Sequence, residues 1–145
     1  MNAELDELYQ SIILDHNRRP QNFRAMPDAT AQAEGVNPMC GDQLCVWLKV
    51  DGDQLSDVSF QGSGCAISKA SASLMTAAVK GKTREEAMQL FERFHALVTG
   101  SDVASSDDLG ALKAFSGVSR FPLRVKCASL AWHALRTAML RNELP

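Results

Sequence analysis

The 145-residue chain carries fifteen Lys and Arg against seventeen Asp and Glu, a formal charge of −2, and is 46% hydrophobic. Those values suit one folded domain spanning residues 1–145 and exclude a disordered chain. The near balance of charge offers no broad footprint for nucleic acid or a membrane surface, and no apolar run approaches the roughly 18–20 residues of a bilayer span. The N-terminus carries acids early and lacks an apolar stretch followed by a small-residue cleavage site, so it does not read as a signal peptide. The expected location is the cytoplasm. Its reducing buffers make the four cysteines candidates for metal ligands or reactive thiols, not disulfides.

In chain order, Leu5, Leu8, Tyr9, Ile12 and Ile13 recur at helical spacing and predict an amphipathic helix over 4–17, ended by Arg19-Pro20. Its apolar face suits core or docking surface equally. Residues 20–39 hold three prolines and little periodicity. One strand around 30–36 and a plain connecting loop fit them equally well. Leu44, Val46, Leu48 and Val50 then alternate with Cys45, Trp47 and Lys49, the pattern of a half-buried strand. Asp51-Gly52-Asp53 is turn chemistry, and 55–61 follows as a second strand with Val58 and Phe60 on one face.

After Gly62-Ser63-Gly64-Cys65 a helix is expected over 66–80, with Ile67, Ala70, Ser71, Leu74 and Ala78 as its buried stripe and Gly81 at its C-terminal stop. Lys80 and Lys82 suit that helix end and need no partner. Thr83 with Glu86 matches a capping box opening a helix that buries Ala87, Leu90, Phe91, Phe94, Leu97 and Val98 and closes near Gly100. Residues 101–108 read as loop, with Asp107 or Asp108 capping a short helix to about 115. Phe121-Pro122 marks a boundary before a final helix over 125–141. The architecture expected is α+β: a small antiparallel sheet of about three strands with helices packed on one face.

The hairpin brings cysteines together. If its turn centres on Gly52, Cys40 lies twelve residues before it and Cys65 thirteen after, so both reach its open end. Asp42, two residues from Cys40, is expected to point to the same side, because strand side chains alternate with period two. Glycines flank Cys40 and Cys65, leaving room for backbone to wrap an ion. Cys65 and Cys127 each open a predicted helix, where free N–H groups favour thiolate. Three thiolates and a carboxylate make a tetrahedral, sulfur-rich set that suits zinc or an iron–sulfur cluster. Arg124 and Lys126 would offset part of its negative charge. The competing reading is that these are buried thiols acting as small hydrophobes. That reading is favoured for Cys45, which sits in mid-strand. The absence of any CxxC pair separates the pattern from a zinc finger.

The segments Asn37-Pro38-Met39-Cys40-Gly41-Asp42, Gly62 to Ser73 and Arg124 to Trp132 resemble the IscU/NifU-type scaffold family of iron–sulfur cluster assembly. The opening residues around Leu8-Tyr9, Ile13 to His16, and Pro20, Asn22 and Phe23 are similar too. Within that family the chain resembles the SufU branch. Lys126 stands where IscU-type scaffolds carry a histidine, and Thr99 to Phe121 resembles the segment that lengthens SufU proteins. The resemblance implies one zinc ion on Cys40, Asp42, Cys65 and Cys127. It implies sulfur transfer from SufS, a pyridoxal-phosphate cysteine desulfurase, onward to the SUF cluster-building proteins. Cys40 is the expected acceptor, Cys127 the competing one, and Arg124 a docking or polarising residue. A closed zinc site would require one cysteine to leave the metal during transfer. Two alternatives stay open: a scaffold that assembles a [2Fe–2S] cluster on the same cysteines, and a structural zinc domain that only binds partners. Lys126 speaks against the scaffold. His16, His95 and His133 are expected on helix surfaces, not as ligands, and Glu85 and Glu86 at a helix start.

Overall fold

The computed structural model describes residues 3–100 and 107–143. The alternating run around Val46 forms β2 (Asp42–Asp51), the middle strand of an antiparallel sheet between β1 (Ala31–Asn37) and β3 (Gln54–Ser63). Ala33, Leu44, Val46, Leu48, Leu55, Val58 and Phe60 form the buried face of this sheet, all nearly inaccessible. The opposite face carries Gln43, Cys45, Trp47 and Lys49, the polar-out half of the pleat.

The hairpin register differs from one centred on Gly52. Val50 pairs with Leu55, one residue further along β3 than that turn predicts, and from Lys49↔Asp57 to Gln43↔Ser63 the offset is two. An irregularity between Lys49 and Val50 leaves Ser56 as an extra residue, whose hydroxyl donates to the Lys49 carbonyl at 2.9 Å. This bulge advances β3 so that Gly64 arrives level with Asp42.

Helix α1 (Ala3–Arg18) matches its predicted span, with Ile12 and Ile13 against the core and Leu8 and Leu14 exposed. Helix α2 (Ala66–Val79) is buried nearly all round, not along one stripe. Its alanines and serines are small enough to let α1, α4 (Pro122–Glu143) and β3 approach from different sides. Helix α3 (Arg84–Thr99) has the expected capping box, Glu86 N–H to Thr83 Oγ1 at 3.1 Å and Thr83 N–H to Glu86 Oε1 at 2.9 Å, and ends at Gly100 in the left-handed region (φ 80°). Lys80 does have a partner, Asp57 at 3.3 Å, which Arg24 also holds.

The loop expected over 101–108 lies largely outside the described residues. Beyond it the short helix is a longer 3₁₀ segment, Asp107–Arg120, kinked at Gly110 (φ 56°, ψ −127°). Helix α4 begins three residues before the predicted start, because proline at the first helical position lacks only an N–H that would be unpaired anyway. Trp132 of α4 stacks on Phe94 of α3 with ring centroids 4.8 Å apart, and Phe115 closes on Phe94 edge-to-face. No described helix is long and apolar enough to cross a membrane.

Candidate metal centre

Asn37 and Asp42 are the last pair of the β1–β2 ladder, and residues 38–41 form the turn between them. Cys40 sits in that turn, its N–H donating to the Asn37 carbonyl at 3.3 Å, with Gly41 at φ 71°. It therefore does not lie on a strand with Asp42. A tight turn, not pleat alternation, brings the two side chains together.

Asp42 opens β2 on the buried face and is 1% exposed. Its Oδ1 accepts the Cys65 N–H at 2.8 Å, and its Oδ2 lies 3.9 Å from the Cys65 sulfur. Cys65 is the N-cap of α2, its sulfur accepting the Ser68 N–H at 3.4 Å. The loop before it has no room for a side chain: a Cβ on Gly64 would stand 2.5 Å from Asp42 Oδ1 and 2.7 Å from Ser68 Oγ.

Cys127 is the sixth residue of α4, not a first-turn residue, because the helix starts at Pro122. The N-terminal N–H groups therefore do not reach it. It is fully buried, and that burial, followed by hydrogen bonds with Cys40, Asp42 and Cys65, pushes its thiol far above the ordinary cysteine range. Its sulfur lies 3.1 Å from that of Cys40 and 3.7 Å from Nδ2 of Asn37.

Ligand atoms of Cys40, Asp42 and Cys127 all lie within 4.8 Å of one another. Cys65 flanks that group through Asp42. One feature beyond that grouping favours a divalent cation. Asp42 is a buried carboxylate with no cation paired to it among the described residues. A soft, sulfur-rich set with one hard oxygen suits tetrahedral zinc, with Zn–S of about 2.3 Å.

The remaining candidates separate cleanly. Arg124 is exposed one turn before Cys127 and lines, with Cys65, Tyr9, Ile13, Leu14 and Phe121, a groove of about 930 Å³ beside the centre. This gives α1 a wall in an open groove, which its apolar pattern alone did not reveal. Cys45 lies on the outer sheet face opposite Glu34 and Gln61, its thiol pushed up by burial and by Glu34. His16 bonds Ser73 at 2.7 Å, and His95 and His133 pack on Phe91; none joins the cluster. Asn37 had no role in the sequence reading beyond its place in a motif. Its position immediately before Pro38, at the edge of the Cys40 turn, was the available signal.

Residues 8–128 match the NifU-like N-terminal domain. The chain belongs to that family. It is 43% identical over 142 residues to the zinc-dependent sulfurtransferase SufU of Bacillus subtilis (strain 168), covering 98% of this chain and 96% of that one. It is 39% identical over 140 residues to the iron–sulfur cluster assembly scaffold protein IscU of Streptococcus pyogenes serotype M1, covering 97% and 87%. Among solved structures it is similar to a SUF-system scaffold protein of Fervidobacterium islandicum AW-1, with a TM-score of 0.85 and 33% identity over 92% of this chain and 97% of that chain. The α+β expectation is met by this NifU-like domain: three antiparallel strands, helices on one face.

Proposed function

We propose that this NifU-like domain is a zinc-dependent sulfur carrier for iron–sulfur cluster assembly, taking sulfur from the persulfide of a SufS-type, pyridoxal-phosphate-dependent cysteine desulfurase. The observation that carries the reading is the meeting of Cys40, Asp42 and Cys127, from a turn, a strand and a helix, with Cys65 against Asp42. All four residues form the ligand set in this reading. Zinc bound there supplies the charge that keeps buried thiols ionised and ties the three segments together.

Cys40 is the acceptor thiol. It is half-exposed in a turn with a left-handed glycine beside it, whereas Cys127 is fully buried and Cys65 is tied to a helix cap. The Cys40 thiolate attacks the outer sulfur of the donor persulfide. A new S–S bond forms on Cys40, the donor S–S bond breaks, and the donor cysteine departs as thiolate. Arg124, exposed beside the groove, presents a guanidinium to the anionic donor. Downstream SUF proteins would then receive the sulfur.

The test is desulfurase turnover with and without the domain, repeated after its metal has been stripped. The expected result is stimulation that the metal-free protein and Cys40→Ala both lose. Undiminished stimulation by Cys40→Ala would remove Cys40 from this role, and no stimulation by the native protein would leave a structural zinc domain. Similarity to IscU-named relatives supports a second reading, a [2Fe–2S] scaffold on the same residues. Anaerobic reconstitution separates the two: a stable visible chromophore that passes to an apo-protein favours the scaffold.

A further inference from the structure

Asn37 ends β1, is 6% exposed, and places its side-chain amide within hydrogen-bonding reach of the Cys127 sulfur. Its main-chain carbonyl accepts the Cys40 N–H at 3.3 Å, its Nδ2 lies 3.7 Å from the Cys127 sulfur, and its ladder partner is Asp42. Pro38 restrains the residue before it to extended backbone, which keeps this arrangement in place. One residue thus adjoins three of the four ligands.

The three sulfurs are not equally supported. Cys65 receives the Ser68 N–H and Cys127 faces the Asn37 amide. Cys40 receives no N–H donor among the described residues; its sulfur contacts that of Cys127 at 3.1 Å. A thiolate can only accept, so a buried one is stabilised by each N–H pointed at it, and such a bond draws electron density from the sulfur.

We infer that Asn37 is a positioning residue: its amide holds the Cys127 sulfur as Ser68 holds that of Cys65, so Cys40, whose sulfur receives no N–H donor among the described residues, is left as the sulfur able to move. The inference rests on the zinc-carrier reading and gives a physical reason for the choice of acceptor.

The test compares Asn37→Leu, of similar volume but without a donor, with Asn37→Gln, which keeps one. Each is loaded with zinc and, separately, with cobalt, whose near-ultraviolet sulfur-to-metal absorption reports electron density on the ligating sulfurs. Asn37→Leu should move that band to lower energy and release zinc to a chelator about fivefold faster, the factor matching a hydrogen bond of about 1 kcal/mol. Asn37→Gln should recover part of both. Asn37→Ala, which also lacks a donor, carries the same comparison if leucine is not tolerated. Faster release with an unmoved band would overturn the inference, since Asn37 would then only shape the turn. A variant unchanged in both would overturn it as well. A native protein that binds neither metal would sink the metal centre itself, a failure distinct from that of Asn37.

Discussion

The main-chain N–H of Cys65 donates to Oδ1 of Asp42 at 2.8 Å, which leaves Oδ2 as the carboxylate oxygen turned toward the sulfurs. One side chain therefore joins the start of β2 to the start of α2 and also offers an anionic oxygen to a cation. The two duties can be separated by mutation. Asp42→Asn keeps an oxygen for the Cys65 N–H but loses the charge. Its metal-free melting temperature should stay near that of the native protein, while zinc leaves about tenfold faster or more. Asp42→Ala loses both and should also destabilise the metal-free fold by about 1–3 kcal/mol, the cost of an unpaired buried donor. Chelator competition and thermal melts of both variants check this.

Gly64→Ala tests the close approach of the loop to that carboxylate. The added methyl would meet Asp42 Oδ1 and Ser68 Oγ inside contact distance, and both are held by hydrogen bonds, so neither can retreat cheaply. The expected outcome is a loss of about 1–3 kcal/mol in stability and fewer than one zinc bound per chain. A variant with native melting and native zinc content would show that the loop yields.

Stripping the metal should lower the melting temperature without erasing the far-ultraviolet circular dichroism signal. A cation held by the assembled Cys40, Asp42, Cys65 and Cys127 would bind the folded chain more tightly than the unfolded one, so its removal would subtract linkage stabilisation. The core around Phe94, Phe115 and Trp132 packs without the metal residues. In the metal-free protein Cys127 should be alkylated last of the four cysteines, because it alone is fully buried. Mass spectrometry of a labelling time course reads that order.

His16 makes the attachment of α1 sensitive to acid. Gln21 N–H donates to Ser73 Oγ at 2.8 Å, so the Ser73 hydroxyl proton is available to His16 Nδ1 at 2.7 Å. Burial pushes the His16 pKa down, against a smaller opposing effect from Asp15. The folded state thus favours the neutral ring. Its contribution is complete above the ordinary histidine range and is lost as pH falls below about 6.5 toward the lowered folded value. Protection of the α1 amides, taken as the observed exchange rate relative to the intrinsic base-catalysed rate at each pH, should fall between pH 7.5 and 5.5, and His16→Gln should flatten that dependence. Equal protection at both pH values would refute this.

Much of the fold was legible because its signals are local. The alternation through Val46, the Thr83–Glu86 capping box and the stop at Gly100 each depend on contacts within a few residues. The misses fall where distant packing decides. Helix α2 is buried nearly all round because three elements close on its small residues, which one stripe of Leu74 and Ala78 does not announce. Asp107–Arg120 is 3₁₀ and kinked because Gly110 takes a left-handed turn within it.

The chain by itself supplied the candidate donors: three cysteines and an aspartate, with glycines beside Cys40 and Cys65, in segments that resemble a known family. Only the tertiary structure decided their arrangement. It put Cys40 on a turn, used a bulge at Ser56 to bring Gly64 level with Asp42, and set Cys127 deep in α4 against Asn37. Residue types and short periodicities are written along the chain. The packing of α4 against β1 follows from the joint burial of apolar surface by segments some ninety residues apart, which no local pattern encodes.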